Sequence, residues 1–215
     1  RRVLFRSSSS GDISQYMFKA QNLASFTLKN MTVSDCLYGL RAYSTCTDVR
    51  VDSVKFIRCA STGVAANHIP SLTGAQLAAV YAAGLQLSNG GACRIEMSGR
   101  GTVTDCVIRH CLRAIRLSNA TSGLVSDCQV EDCSDNGVYL NTCSHVTVTG
   151  NRIRNCLHNG LLAISSSDCQ YTNNYVQDTA AAPIQMHSSQ NLTFVANTFQ
   201  NCNRPANNGH PAARD

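Results

Sequence analysis

The stretch "NRIRNCLHNGLLAI", residues 151–164, reads as an alternating strand, a cysteine, an Asn-Gly corner and a second alternating strand. Apolar residues at every second position mark a half-buried strand, and Asn-Gly is a strong turn signal. Cys156 stands at the junction, and its spacing from other cysteines explains it. Cys133 lies 23 residues before it and Cys111 a further 22, while Thr179 lies 23 after it and Cys202 another 23. Cys36 and Cys59 are also 23 apart.

The neighbours keep step with the cysteines. "MTVSDC" (31–36), "VKFIRC" (54–59), "CVIRHC" (106–111), "CQVEDC" (128–133), "NRIRNC" (151–156), "NYVQDT" (174–179) and "NTFQNC" (197–202) share one template, with Val, Phe or Ile at its third position. A small residue or Pro follows within a few residues and then another alternating piece. This piece gives the inward pairs Leu40/Ala42, Val64/Ala66, Ile115/Leu117, Val138/Leu140, Leu161/Ala163 and Ile184/Met186. A third alternating piece precedes each template. A repeat of three short strands cannot bury an apolar face alone. It can do so by coiling, each strand pairing with its equivalent one repeat later, with rungs about 4.8 Å apart.

In these repeats the chain resembles the right-handed parallel β-helix repeat family of the pectate-lyase-like superfamily, a fold also found in phage tail spikes. The resemblance covers roughly Tyr16 to Cys202. It implies an all-β, right-handed parallel β-helix solenoid with about 22–23 residues per coil and three short strands per coil.

Residues 1–10 are set apart as a lead, because "RRVLFRS" (1–7) reads as a sequencing scar. The β-helix is expected over 11–204, with an irregular insertion around 68–101, and 205–215 as a frayed or truncated tail. The insertion is inferred from rhythm: Cys59 to Cys111 is 52 residues, two periods plus six. Within it, "AGLQLSN" fits a coil, and "TGAQLAAVYAAG" fits a short helix from Thr73 to Gly84. The formal charge is +5, of which Arg1, Arg2 and Arg6 supply three, and 5 − 3 = 2. A nearly neutral remainder gives no electrostatic case for nucleic acid or an anionic membrane.

The cysteines form columns. Cys36, Cys59, Cys111, Cys133, Cys156 and Cys202 make one, interrupted by Thr179. Cys106 and Cys128 begin a second, which Asn151, Asn174 and Asn197 continue. Zinc held by Cys106, Cys111, Cys128 and Cys133 is one reading, and disulfides between rungs another. Small, polarizable thiols packed beside a turn account for the columns more simply, since they continue through Asn without a metal. No cofactor is expected, and Ca²⁺ has no support in the sequence.

The resemblance directs attention to the outer surface of the strand after the small residue, which polysaccharide-active members use. The outward column is expected to be Arg41, Ala65, Gln86, Arg116, Tyr139, Leu162 and Gln185, with Asn141 and His187 two residues on in their strands. Asp135 and His158, 23 apart, should be stacked neighbours, with Arg113 close by. Hydrolysis of a glycoside usually needs two carboxylates, and this face offers Asp135. β-Elimination or C5-epimerisation of a uronic acid needs a base, an acid and a cation for the carboxylate. Tyr139, His158 and Arg116 are therefore the candidate catalytic groups, and Arg113, Asp135, Gln185, His187 and Asn141 the candidate substrate-binding groups. The expected partner is a polysaccharide or other glycan, at a cell exterior or virion surface. The alternative is a non-catalytic shaft or glycan-binding module of a tail spike or adhesin. A spike would be a homotrimer with an apolar outer stripe, for which Leu162 and Ile164 are candidates.

Overall fold

The computed structural model describes residues 16–36, 38–59, 91–203, 206–207 and 210–211. The chain winds as successive coils. The first two hold β1 (Tyr16–Gln21) and β2 (Ser25–Cys36), then β3 (Tyr38–Ser44) and β4 (Asp48–Cys59). The third holds β5 (Gly91–Met97), β6 (Arg100–Thr104) and β7 (Val107–Arg109). The fourth holds β8 (Ile115–Ser118), β9 (Ser122–Ser126) and β10 (Gln129–Glu131). The fifth holds β11 (Val138–Asn141), β12 (Val146–Thr149) and β13 (Arg152–Arg154). The sixth holds β14 (Leu161–Ile164), β15 (Gln170–Thr172) and β16 (Tyr175–Gln177), and the seventh β17 (Ile184–His187), β18 (Thr193–Val195) and β19 (Thr198–Gln200). Two short strands, β20 (Ala206–Asn207) and β21 (His210–Pro211), pair antiparallel within the segment expected to be frayed.

Every strand from β1 to β19 pairs in parallel with its equivalent in an adjacent coil. One seven-stranded sheet runs β1-β3-β5-β8-β11-β14-β17. The other two ladders join into a twelve-stranded sheet, because β2 and β4 pass through the corner between second and third strands without a break. β4 accordingly pairs with β6 through Asp48–Asp52 and with β7 through Lys55–Ile57.

Inward positions follow the expected alternation. Leu40, Cys93, Ile115, Val138 and Leu161 stack in register and are fully buried. The small residue of the template has a packing reason. A Cβ on Gly137 would lie 2.6 Å from Ile153 Cγ2 and 2.7 Å from the Gly160 carbonyl oxygen, so this corner is pressed against the third strand. Corner columns adopt left-handed backbone. Asp105, Asp127, Gly150, Asn173 and Ala196 have φ of 52°, 55°, 66°, 54° and 52°. Asn, Asp and Gly tolerate that conformation best, which accounts for most of this column.

The second column of the sequence is a hydrogen-bonded ladder. Asn151 Oδ1 accepts from the Cys128 N–H at 3.0 Å, Asn174 Oδ1 from the Asn151 N–H at 3.1 Å, and Asn197 Oδ1 from the Asn174 N–H at 3.0 Å. The amide nitrogens donate onward: Asn151 Nδ2 to the Val125 carbonyl at 3.0 Å, and Asn174 Nδ2 to the Val148 carbonyl at 2.9 Å. The cysteine column is buried from Cys59 through Cys156, with Thr179 in its gap, and Cys111, Cys133, Cys156 and Cys202 are free thiols. Cys143 and Cys169, outside both columns, are also buried and free. Among the described residues, no group of three or more His, Cys, Asp or Glu side chains is arranged to hold a metal ion.

The structure corrects the sequence reading in three places. Residues 91–101, assigned to an insertion, lie in β5 and the start of β6 within the solenoid. The break in rhythm therefore falls before Gly91. Residues 60–90, including the helix proposed at Thr73–Gly84 and the pair Val64/Ala66, lie outside the described residues. Leu162, taken as an exposed outward residue, is 6% exposed, so it offers no apolar stripe to solvent, and Ile164 is half-buried. Met186, taken as inward, is in register with buried Ala163 yet 50% exposed, because among the described residues no further strand in this sheet covers β17.

Candidate functional site

The outer face of the seven-stranded sheet carries two columns set by strand register. The first is Lys19, Arg41, Arg94, Arg116, Tyr139, Leu162 and Gln185. The second is Gln21, Tyr43, Glu96, Ser118, Asn141, Ile164 and His187. Arg94 thus takes the place between Arg41 and Arg116 that the sequence reading gave to Ala65 and Gln86. Those two lie outside the described residues.

Arg116 is half-buried. Its guanidinium lies over the Tyr139 ring, 4.9 Å from the centroid, and its Nε donates to Ser118 Oγ at 3.1 Å. It has no carboxylate partner among the described residues. Burial holds its pKa below the usual arginine range, and the nearby guanidinium of Arg94 adds to that effect, as does Arg113. A guanidinium so placed is able to accept an anion through two parallel hydrogen bonds. The Tyr139 hydroxyl lies 3.5 Å from Asn141 Oδ1, at the long limit of a hydrogen bond, and so is available to another partner.

A second group forms at the turn preceding the sheet. Arg113 Nε is ion-paired with Asp135 Oδ2. Asp135 Oδ1 also accepts from Asn136 Nδ2 at 2.7 Å and stands 3.6 Å from His158 Nδ1. His158 Nδ1 lies 2.9 Å from Asn136 Oδ1. The orientation of the Asn136 amide is fixed on both sides, since its oxygen also accepts the Asn159 N–H at 3.2 Å. His158 Nδ1 must then carry a hydrogen and donate it to Asn136. In the neutral ring that leaves Nε2 as an unprotonated acceptor on a side chain 52% exposed. Asn159 Nδ2 donates to Gln185 Oε1 at 2.7 Å, which ties Gln185 into the same network.

The predicted residues therefore fall into two groups on neighbouring coils, Arg116–Tyr139–Asn141 and Arg113–Asp135–His158–Gln185. His187 is exposed at the end of β17 and makes no hydrogen bond to either group.

Residues 79–199, more than half of the chain, match the family described as right handed beta helix region. The chain belongs to this family. No curated protein matches the β-helix chain. Among solved structures it is similar to the A-module of the Azotobacter vinelandii mannuronan C-5 epimerase AlgE4, at 10% identity and a TM-score of 0.24, covering 91% of this chain and 80% of that one. At that score and identity the likeness carries no functional information.

Sequence reasoning missed Arg94, Glu96, Asn136 and Asn159 in this β-helix. The alternation in "CRIEM" (93–97) was a usable signal for the first two, lost because the rhythm was taken to be broken there. Asn136 and Asn159 recur 23 apart in "DNG" and "HNG", but Asn before Gly reads as a turn residue. Their buried hydrogen bonds appear only when the coils are stacked.

Proposed function

We propose that the outer face of the seven-stranded sheet binds an acidic polysaccharide and acts on its uronic acid residues by β-elimination or C5-epimerisation. The observation that carries this reading is Arg116: a half-buried cation with no carboxylate partner among the described residues, stacked on Tyr139. A guanidinium binds a uronate carboxylate through two parallel hydrogen bonds. Tyr139 offers a ring edge and a hydroxyl to the adjoining sugar.

The chemistry follows from the groups at hand. His158 Nε2 accepts the C5 proton, and the electron pair left on C5 moves toward the carboxylate, where Arg116 offsets the developing charge. In elimination, the pair then forms the C4–C5 double bond, the C4–O bond breaks, and the Tyr139 hydroxyl gives its proton to the departing oxygen. In epimerisation, Tyr139 returns a proton to C5 from the opposite face. The two carboxylates nearby are both engaged, Asp135 by Arg113 and Asn136, and Glu96 by Arg41 and Arg94. This argues against two-carboxylate hydrolysis.

The test is a screen of polyuronates and neutral glycans against wild type, Arg116→Ala, Tyr139→Phe and His158→Ala. Binding is measured by calorimetry, elimination by absorbance of the unsaturated uronate, and epimerisation by deuterium incorporation at C5. Arg116→Ala is expected to weaken polyuronate binding by about ten- to a hundredfold, the worth of one charged contact of about 1.5–3 kcal/mol. Tyr139→Phe and His158→Ala are expected to abolish turnover while retaining most binding. Binding without turnover in wild type would support the non-catalytic module instead. Equal binding by all three variants would remove this strip as the site.

A further inference from the structure

We infer that the β-helix carries a second glycan-binding site, on the outer face of the third-strand ladder, where Arg152 and Tyr175 receive an anionic sugar unit. The ligand class rests on the proposed acidic-polysaccharide reading; the place of the site rests on register and contacts. β10, β13, β16 and β19 stack in register in the twelve-stranded sheet, whereas Arg116 and Tyr139 belong to the seven-stranded one. Val130, Ile153 and Val176 are fully buried, so the residues on either side of them point outward. Two outward columns result: Gln129, Arg152, Tyr175 and Thr198, and Glu131, Arg154, Gln177 and Gln200.

The second column neutralises its own carboxylate. Glu131 is 8% exposed and is held from the coils on both sides: Oε2 accepts from Arg109 Nε at 3.0 Å, and Oε1 from Arg154 Nη2 at 2.9 Å. Arg152, on the same strand as Arg154, is exposed and has no carboxylate partner among the described residues. Arg109, Glu131, Arg152 and Arg154 together carry 3 − 1 = +2. The guanidinium of Arg152 lies over the Tyr175 ring, 5.4 Å from the centroid. The Tyr175 hydroxyl in turn lies 3.1 Å from Gln177 Oε1 and 2.5 Å from Gln200 Oε1, which fixes the ring beneath the cation. The corner carboxylate after Glu131, Asp132, is engaged by Asn155 Nδ2 at 2.9 Å.

The fold thus builds one arrangement twice. Arg116 lies over Tyr139 and Arg152 over Tyr175, each pair 23 residues apart and one coil apart. The two strips differ in their titratable groups. The Arg116 strip has His158 beside it, whereas the two columns here hold no histidine and their carboxylate is taken by two guanidinium groups. This second strip therefore binds without catalysing. Arg152 can take a sugar carboxylate or sulfate through two parallel hydrogen bonds. The Tyr175 ring packs against the sugar, and Gln129 and Gln177 are placed for its hydroxyls. Duplex DNA, with one charge per about 1.7 Å of its axis, is too densely charged for a strip with this little free cation. A site of this kind keeps a long polymer tethered between encounters with the first.

The experiment counts sites by calorimetry of the whole chain with a uronate disaccharide, beside a sulfated disaccharide and a single-stranded oligonucleotide. Variants are Arg152→Gln, Tyr175→Leu, the charge-preserving Arg152→Lys and Arg116→Ala, each checked for an unchanged far-ultraviolet spectrum and melting temperature. Wild type is expected to bind two disaccharides per chain. Arg152→Gln, Tyr175→Leu and Arg116→Ala should each bind one, and Arg152→Gln combined with Arg116→Ala none. Affinity for a long polyuronate should fall about tenfold in Arg152→Gln, and Arg152→Lys should recover part of it, keeping the charge without the fork. Preference between the carboxylate and the sulfate identifies the anion. A single site in wild type, lost in Arg116→Ala and intact in Arg152→Gln, would refute the second site and leave the first. A single site lost in Arg152→Gln and intact in Arg116→Ala would keep this site and remove the first. If no glycan binds, both fail. Tighter binding of the oligonucleotide, lost in Arg152→Gln, would refute the glycan as ligand.

Discussion

At the scale of single residues, the state of His158 is set by a neighbour that never faces solvent. Asn136 is buried, and its amide oxygen accepts from the Asn159 backbone and from His158 Nδ1. The neutral ring is therefore held with hydrogen on Nδ1, the reverse of what Asn159 Nδ2, 3.2 Å from the same nitrogen, would impose. Nitrogen-15 spectra of the imidazole are expected to show Nδ1–H and a bare Nε2 in wild type. In Asn136→Ala, Asn159 becomes the donor to Nδ1, and the ring should switch to Nε2–H. An Nε2–H ring in wild type would remove His158 as the base. None of this was visible from the spacing of Asp135 and His158. The 23-residue interval foretold their proximity, confirmed at 3.6 Å, but not the amide that decides the tautomer.

At the scale of elements, the Asn ladder holds the corner between the second and third strands of the last coils. Each amide closes a backbone N–H and a carbonyl that the change of strand direction leaves unpaired. Asn174→Ala removes the acceptor for the Asn151 N–H and the donor to the Val148 carbonyl. Leaving such groups buried without partners costs about 1–3 kcal/mol each. A clear drop in the denaturation midpoint is expected, whereas Asn173→Ala, at an exposed corner, should cost less. Equal effects would mean that water replaces the ladder. Asn151, Asn174 and Asn197 were legible as a column because their period equals the coil. The corner glycines were legible as small positions, but the atoms that require smallness, such as Ile153 beside Gly137, come from a different strand.

At the scale of the molecule, burial holds several interior thiols in the protonated form. Burial pushes Cys143 up to about 11 from an ordinary 9.0, and acts in the same direction on Cys93, Cys133 and Cys156. The unfolded chain ionises these thiols first. Their contribution to stability is thus complete below pH 9 and lost as pH rises through the folded values, about 11 for Cys143. Denaturant midpoints are expected to hold steady to about pH 8 and then fall, and the thiols of Cys93, Cys133, Cys143 and Cys156 should resist iodoacetamide until denaturant is added. A midpoint unchanged across this window, or any of these four thiols alkylated in the native state, would contradict their packed, protonated state.

The sequence by itself determined the period, the inward faces and the cysteine and asparagine columns. Alternation within a strand and recurrence at one coil length are properties of the chain that stacking merely repeats. Only the tertiary structure decided which residues meet across the break. Arg41 and Arg94 are 53 residues apart, yet they are neighbours on adjacent strands. Parallel pairing depends on where the backbone re-enters the sheet, and the sequence rhythm fails at that point. The burial of Leu162, the exposure of Met186 and the shared Glu96 share this cause. Each depends on what lies on the adjoining coil, and a strand's own pattern holds no record of its neighbour.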